Sequence, residues 1–301
     1  MDPATRGSLE GAVAQALRRQ APLEKAERAP GGCIHSSFLV VAGATPLFVK
    51  LNAARFADAF AAEADGLAAL RDAGLRAPEP LAHGVAAGSA FLVLEQLQLG
   101  GRKDFAALGT ALAAIHRSSA HRAVAAGARF GWTRDNYIGA TPQVNAAVQD
   151  WAAFWRERRL APQLALVEKK GWGGALRADL EQLMERLPAL FRDHAPAPSL
   201  LHGDLWGGNA DFLTDGTPVV FDPAVYRGDR EADVAMTELF GGFARGFYDA
   251  YRDAWPLGEG YAVRKDLYNL YHVLNHLNLF GGGYLAQSVL LARRVLAAVK
   301  R

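Results

Sequence analysis

Two carboxylates and one amide, at fixed spacing, are the side chains of this sequence best suited to do chemistry. Asp204 is followed five residues later by Asn209, and Asp222 comes directly after the apolar run 218–221. A carboxylate can orient a hydroxyl group and take its proton, while amide and carboxylate oxygens suit Mg²⁺. The pattern therefore indicates phosphoryl transfer to a hydroxyl group, with Asp204 as the base and Asn209 and Asp222 as the magnesium ligands.

The segment 202–209 has the H-x-D-x-x-x-x-N spacing of a protein-kinase-type catalytic loop. We interpret His202 as a structural histidine that braces this loop, because Asp204 already occupies the position that faces the hydroxyl. The Asp-Phe-Gly triplet usual in such enzymes is replaced by Asp222-Pro223-Ala224. Since the missing Phe and Gly serve packing and switching, the metal-binding chemistry is kept and a mobile regulatory loop is not expected.

A lysine and a glutamate upstream are predicted to hold the nucleotide. A helix over 54–73 places Glu63 on the same face as Phe56, Phe60, Leu67 and Leu70. A carboxylate on an apolar face needs a cation, and Lys50 lies on the second strand of a predicted hairpin formed by 37–41 and 47–51. We expect an ion pair that directs Lys50 toward the phosphates. In the alternative, Glu63 lies at the edge of the face and Lys50 extends into water.

Two further segments could contact the nucleotide. The loop 31–37 departs from Gly-x-Gly-x-x-Gly, yet its backbone N–H groups, including those of Cys33 and Ile34, could bind phosphate. A buried strand over 91–95 runs into a flexible connector, whose backbone from Glu95 to Leu97 could contact adenine. An ordinary linker is the alternative.

The order of elements predicts an α+β protein with two lobes. A small β-rich lobe over 1–98 would bind the nucleotide, and a mostly helical lobe over 99–301 would carry catalysis and the acceptor. The helical stretches are predicted near 103–118, 146–168, 174–192, 231–254 and 261–298.

Composition excludes several other classes of protein. The chain has 301 residues, half of them apolar, and a formal charge of +2, which argues against an extended nucleic-acid surface. We find neither a signal peptide nor a membrane-spanning run, so we expect a cytoplasmic protein. Cys33 is the single cysteine, so the chain is expected to be a monomer, or a Cys33-linked homodimer under oxidation.

Several motifs together resemble the fructosamine/ketosamine-3-kinase family, whose kinase-like fold is related to that of aminoglycoside phosphotransferases. The motifs span most of the chain and are 31–34, 130–132, 142–145, 200–209, 221–224 and 240–243. The Trp-Gly-Gly insert at 206–208 separates this family from aminoglycoside and choline kinases.

The resemblance implies ATP- and Mg²⁺-dependent phosphorylation of the 3-hydroxyl of a free or protein-bound ketosamine (ribulosamine or fructosamine), giving a labile phosphate whose breakdown reverses glycation. It assigns Lys50 to the phosphates, Glu63 to Lys50, Asp204 to the base, and Asn209 and Asp222 to the metal.

The acceptor site is less well defined by the sequence. The resemblance places Trp206 beside the sugar, although a tryptophan wedged under the loop would fit equally. His276, four residues after His272, could line the acceptor pocket or pack in the core. The alternatives for function are a kinase for another amine-bearing acceptor, such as an aminoglycoside or choline, and a non-catalytic nucleotide-binding or redox-sensing pseudokinase.

Overall fold

The computed structural model describes residues 2–29 and 34–299. Cys33, a predicted nucleotide contact and disulfide site, lies outside the described residues. The helices are α1 (Pro3–Leu17), α2 (Ala57–Asp72), α3 (Phe105–Ala125), α4 (Trp151–Phe154), α5 (Ala161–Lys169), α6 (Gly174–Leu190), α7 (Glu231–Thr237), α8 (Arg245–Ala254), α9 (Tyr261–Phe280) and α10 (Leu285–Val299). The strands are β1 (Leu23–Arg28), β2 (Ser36–Ala42), β3 (Thr45–Ala53), β4 (Pro80–Ala86), β5 (Ser89–Glu95), β6 (Asn136–Ile138), β7 (Thr141–Gln143), β8 (Ser199–Leu201), β9 (Ala210–Phe212), β10 (Pro218–Val220) and β11 (Tyr226–Gly228).

The chain forms two compact units. The first contains the residues up to Lys103 together with Asp211–Pro223, and the second contains Asp104–Ala210 and Ala224–Arg301. The sequence-based division at residue 98 had placed the segment 211–223 in the second lobe. The first unit is rich in β-strands and the second is mostly helical, which agrees with the predicted α+β class.

The first unit is built on an antiparallel sheet. Among the described residues its strands pair in the order β1-β2-β3-β5-β4. The predicted hairpin is β2 and β3, in which Ser37 pairs with Lys50. One side of the sheet buries Val40, Val49 and Val93 against Leu9 of α1. The helix α2 lies at the predicted position and buries Phe60 and Leu67.

Strand β1 has no counterpart among the elements predicted from the sequence. Its sequence, Leu-Glu-Lys-Ala-Glu-Arg, lacks the apolar alternation of a half-buried strand. It lies at the edge of the sheet and pairs only with β2 among the described strands. An edge strand that shows its side chains to solvent carries no alternating signal.

The second unit packs its helices around α9, whose residues from Leu267 to Asn275 are all buried. Two long helices predicted from periodicity are each interrupted. The stretch 231–254 divides into α7 and α8, and two glycines of the linker, Gly241 and Gly242, have positive φ angles of 86° and 74°. The stretch 261–298 divides at Gly281, where φ is 91°. Glycine readily ends a helix in this way.

A helix that crosses a bilayer needs about 20 consecutive, mostly apolar residues. Among the described residues, none of the helices combines the required length with the required apolar character.

Candidate active site

A buried lysine of the first unit contacts two carboxylates. The Nζ atom of Lys50 lies 2.6 Å from Glu63 Oε1 and 2.5 Å from Asp222 Oδ1. The side chains of Lys50 and Glu63 are 8% and 13% exposed. The predicted ion pair is therefore present, and the alternative in which Lys50 extends into water does not occur.

The charges of this cluster do not balance. Burial alone would lower the pKa of Lys50, but Asp222 and Glu63 raise it above the usual lysine value, so the ammonium stays charged. Burial raises the pKa of Glu63 to about 7 against the opposing effect of Lys50, and the Asp222 charge adds to the increase. Two carboxylates that share one ammonium leave excess negative charge, which a second cation would relieve.

Asp222 itself has a strained backbone. It stands two residues after β10 with a φ angle of 51°. For a residue other than glycine this conformation costs about 1–3 kcal/mol and is concentrated at functional sites. The strand β10 is held in place because the Val220 N–H donates to the Arg76 carbonyl at 3.0 Å. The Asp222 carboxylate contacts Lys50, and because the side chain is 55% exposed it also remains accessible to a ligand.

The loop 202–209 of the second unit, here called the catalytic loop, brings Asp204 and Asn209 together. Asn209 Nδ2 donates to the Asp204 carbonyl at 2.9 Å and lies 3.4 Å from Asp204 Oδ2. Because this bond turns Nδ2 toward Asp204, Oδ1 is the atom of the amide that can bind a cation. His202 is buried, and its Nδ1 accepts the Asp204 backbone N–H at 3.2 Å, which is the bracing contact expected of a structural histidine.

Asp233 anchors the start of the catalytic loop. Its Oδ2 accepts the His202 backbone N–H at 2.7 Å, and its Oδ1 accepts the Gly203 N–H at 2.8 Å. The ring of buried His116 lies 3.1 Å from the same Oδ2. Burial alone would raise the pKa of Asp233, but the His116 hydrogen bond, the charges of His116 and His202 and the Gly203 N–H lower it overall. Asp233 therefore binds the loop as a carboxylate.

Sequence reasoning gave Asp233 no catalytic role. With Asp229 and Glu231, Asp233 is one of three acidic residues near the start of the helix predicted over 231–254, and the sequence alone does not indicate which backbone amides it binds. The partners of Asp233 are 30 and 31 residues away in the chain, and no local pattern connects them. The one feature that could have indicated a structural role for Asp233 is its position in the first turn of α7, where it is buried.

Trp206 begins a row of aromatic rings in the second unit. The residue is 36% exposed, and its ring meets the Phe240 ring edge-on, with centroids 5.9 Å apart. Phe240 in turn lies 4.7 Å from the His276 ring. Gly208 lies under the indole, since a Cβ atom there would be 2.4 Å from the Trp206 ring. The Trp-Gly-Gly sequence thus allows the indole to lie across its own loop.

His276 is half-buried in this row. Its Nδ1 lies 2.8 Å from the His272 carbonyl oxygen, and burial lowers the pKa of its ring below the usual value. The ring also lies within 5.4 Å of those of Phe280 and Tyr284. A neutral imidazole beside three aromatic rings can both pack and form hydrogen bonds, which suits a polyhydroxylated ligand.

The remaining predicted nucleotide contacts lie in the first unit. The Ile34 carbonyl accepts a hydrogen bond from Asn52 Nδ2 at 2.9 Å. The Glu95 carboxylate is held by both terminal nitrogens of Arg76, at 2.5 and 2.9 Å, and the Glu95 N–H donates to the Glu79 carbonyl. Neither the side chain nor the N–H of Glu95 is therefore open to adenine. Leu97 is half-buried in the connector.

His35, which follows Ile34, belongs to the loop 31–37 predicted to bind phosphate through its backbone, but the sequence does not indicate the contacts of its side chain. Its ring lies 4.7 Å from that of Phe60 and 2.8 Å from Asn52 Nδ2. Burial, together with the charge of Lys50, lowers the pKa of His35 to about 4, so its ring is neutral near pH 7. The mixed sequence around 31–37 gave no indication of this contact.

Comparison with known proteins gives consistent results. A family model described as Fructosamine kinase matches residues 8–298. A protein named Probable ketoamine kinase from Synechocystis is 42% identical, and the match covers 98% of both chains. The chloroplastic protein-ribulosamine 3-kinase of Oryza sativa subsp. indica is 38% identical over 90% of this chain and 78% of the relative. A crystal structure described as that of a "putative fructosamine-3-kinase" from Haemophilus somnus superposes with a TM-score of 0.86 at 28% identity, covering 98% of this chain and 100% of the other.

Proposed function

The chain belongs to the fructosamine kinase family, and on this premise we propose that it transfers the γ-phosphoryl group of ATP to the 3-hydroxyl of a ketosamine. The observation that carries the proposal is full-length similarity to a probable ketoamine kinase, at 42% identity over 98% of the chain. The chain is a phosphotransferase that acts on an alcohol group. The expected product is a labile sugar 3-phosphate whose breakdown releases the amine, which makes the reaction a repair of glycation.

The first unit supplies the groups for the nucleotide. Lys50 is a buried, permanently charged ammonium whose direction is fixed by Glu63. A cation of this kind can bind phosphate oxygens as a point charge. The excess negative charge around Asp222 fits a divalent cation. Asp222 and Asn209 would hold Mg²⁺, which when bound neutralises charge on the phosphates.

The second unit supplies the base. Asp204 is held through its own backbone by Asn209 and His202, so the backbone that carries its carboxylate has a defined position before the acceptor binds. It would receive the proton of the sugar 3-hydroxyl as the oxygen attacks phosphorus. Orientation of this kind is the main contribution a protein makes to phosphoryl transfer.

The aromatic row of Trp206, Phe240 and His276 is the proposed wall for the sugar. Its first ring belongs to the catalytic loop and is separated from Asp204 by one residue. Apolar faces of a sugar pack well on aromatic rings, and a neutral imidazole can bind its hydroxyl groups. Because Trp206 is 36% exposed, the wall could receive a sugar whose amine is still part of a protein as well as a free ketosamine.

The test is ATP turnover with Mg²⁺ against a panel of acceptors, namely ribulose-lysine, fructose-lysine, a ribulosylated protein, an aminoglycoside and choline. We expect turnover of at least one ketosamine and its loss in Asp204→Asn, which keeps the shape of the side chain and removes the base. Turnover of the aminoglycoside or choline alone would refute the ketosamine assignment. ATP-dependent phosphorylation of none of them would support the alternative of a silent nucleotide-binding protein.

A further inference from the structure

His272 presents a buried nitrogen toward the proposed base. It lies on α9 and is 4% exposed. Its Nδ1 atom has no hydrogen-bond partner among the described residues, yet it is 3.9 Å from Asp204 Oδ1. A buried polar atom without a partner costs about 1–3 kcal/mol. Such an atom beside a functional carboxylate calls for a physical explanation.

The two oxygens of Asp204 face different neighbours. Oδ2 lies 3.4 Å from Asn209 Nδ2, whereas Oδ1 lies on the side of His272. The imidazole of His272 is itself held in place, because it packs edge-on against Tyr271 at 5.2 Å and its backbone carbonyl is contacted by the His276 ring. A carboxylate rotates about its terminal bond unless both oxygens are fixed, so an interaction at Oδ1 would determine where Oδ2 points.

The charge state of His272 is suited to this task. Burial lowers the pKa of its ring to about 3, and the charges of His276 and Arg159 contribute to the decrease. The ring is therefore neutral near pH 7 and carries one N–H group. With the proton on Nδ1 it faces the carboxylate as a donor. With the proton on Nε2, a lone pair would face a negatively charged oxygen, which is unfavourable.

A neutral donor has an advantage over a cation at this position. An ammonium or guanidinium close to Asp204 would stabilise the carboxylate and so weaken it as a proton acceptor. An imidazole N–H can orient the same carboxylate with a smaller effect on its basicity. The observed distance of 3.9 Å is about 1 Å longer than a normal hydrogen bond, and such contacts commonly shorten when an active site is loaded.

We propose that His272 is a positioning residue for the reaction, whose Nδ1–H group binds Asp204 Oδ1 and thereby directs Oδ2 to the acceptor hydroxyl. The inference rests on the proposed function, in which Asp204 is the base. The proton of the acceptor hydroxyl passes to Asp204 Oδ2 as the acceptor oxygen bonds to the γ-phosphorus of ATP, and the bond between that phosphorus and the bridging oxygen breaks to release ADP. His272 keeps its own proton throughout and forms no bond with the substrate.

The matched variants His272→Asn and His272→Leu test this role. The Asn side chain can place its Nδ2 donor close to the position of the imidazole Nδ1, while Leu has a similar shape and no donor. With Mg²⁺, ATP and ribulose-lysine we expect His272→Asn to keep kcat within about threefold of the wild-type value. His272→Leu should lower kcat about 10- to 100-fold, because a misdirected carboxylate loses part of the rate enhancement that a general base provides. The KM for ATP should stay unchanged in both.

The Leu variant should melt at or above the wild-type temperature, because it removes a buried nitrogen that lacks a partner. A fall in kcat without a fall in melting temperature then separates positioning from folding. Equal kcat values for the Asn and Leu variants, or wild-type kcat in the Leu variant, would overturn the proposal. So would a change confined to the KM for ATP.

A second measurement does not depend on the acceptor. Long-range ¹H–¹⁵N NMR of the full-length chain at pH 7, with His272→Asn used for assignment, reports which ring nitrogen carries the proton. We expect a neutral ring with the proton on Nδ1, and a proton on Nε2 would overturn the inference. If the wild type phosphorylates no ketosamine, the proposed function fails, and the tautomer still decides whether His272 is the donor to Asp204.

Discussion

Replacing Asp233 by Asn should destabilise the chain and slow the reaction, although the two side chains have the same shape. The carboxylate is 1% exposed and accepts two backbone N–H groups of the catalytic loop, those of His202 and Gly203. An amide offers one oxygen, so one N–H would face an NH₂ group. An unsatisfied buried N–H costs about 1–3 kcal/mol, and the remaining bond loses about 1 kcal/mol with the charge.

The expected loss of stability for Asp233→Asn is therefore about 2–4 kcal/mol, because these two terms add. For a unit of this size it corresponds to a fall in Tm of roughly 4–16 °C. Since the loop carries Asp204, a displacement of about 1 Å would also lower kcat by about 100-fold. The measurements are thermal unfolding at pH 7, where the carboxylate is ionised, and ATP-dependent turnover at a temperature at which the variant is folded.

The exposed Asp253 on α8 provides the control for Asp233. Asp253→Asn should change the free energy of unfolding by less than about 0.5 kcal/mol, as surface substitutions do. The reasoning is refuted if Asp233→Asn matches this control in both stability and kcat. Loss of kcat without loss of stability would show that the carboxylate acts on the loop alone and that the energetic estimate is wrong.

Three further predictions follow from named contacts. Glu63→Gln removes the charge that directs Lys50, so we expect kcat/KM for ATP to fall by about tenfold or more, with little change in Tm. A tenfold fall corresponds to a loss of about 1.4 kcal/mol of transition-state binding. An unchanged kcat/KM would contradict the role of the ion pair. Gly203→Ala should lower both Tm and kcat, since φ is 82° and the new Cβ would lie 2.0 Å from the Ala224 carbonyl oxygen. In the control Gly207→Ala the new Cβ would have no atom within 4 Å, so neither Tm nor kcat should change. Because burial lowers the pKa of His272 from 6.5 to about 3, the unfolded chain takes up a proton first as the pH falls below 6.5. Wild type should lose about 2 kcal/mol more stability than His272→Asn between pH 6.5 and 5, measured by urea unfolding, and parallel losses would refute the assignment.

Much of the candidate site is predictable because its signals are local. The spacing of Asp204 and Asn209 reflects one short loop, and the helical phase of Glu63 together with the strand position of Lys50 predicted their ion pair at 2.6 Å. In each case a periodicity or a fixed offset in sequence translates directly into a position in space.

The parts that escaped prediction depend on contacts between distant segments. Arg76 binds the Glu95 carboxylate, and no sequence pattern predicts this pairing. The sequence shows His272 only as the histidine four residues before His276, and its approach to Asp204 across 68 residues appears only in three dimensions. The polar strand β1 was missed because it gains its hydrogen bonds from β2 and not from burial of its own side chains.

The most direct test of the central claim is to determine which sugar carbon receives the phosphate and whether the rate of transfer depends on Asp204. The wild-type chain is mixed with ATP, Mg²⁺ and ribulose-lysine, and the product is followed by ³¹P NMR with correlation to the sugar protons. The account predicts a new phosphomonoester signal coupled to the proton on C3 of the sugar, and a rate at least about 100-fold lower in Asp204→Asn. Inorganic phosphate as the sole product, phosphate on another sugar carbon, or an undiminished rate in Asp204→Asn would contradict it.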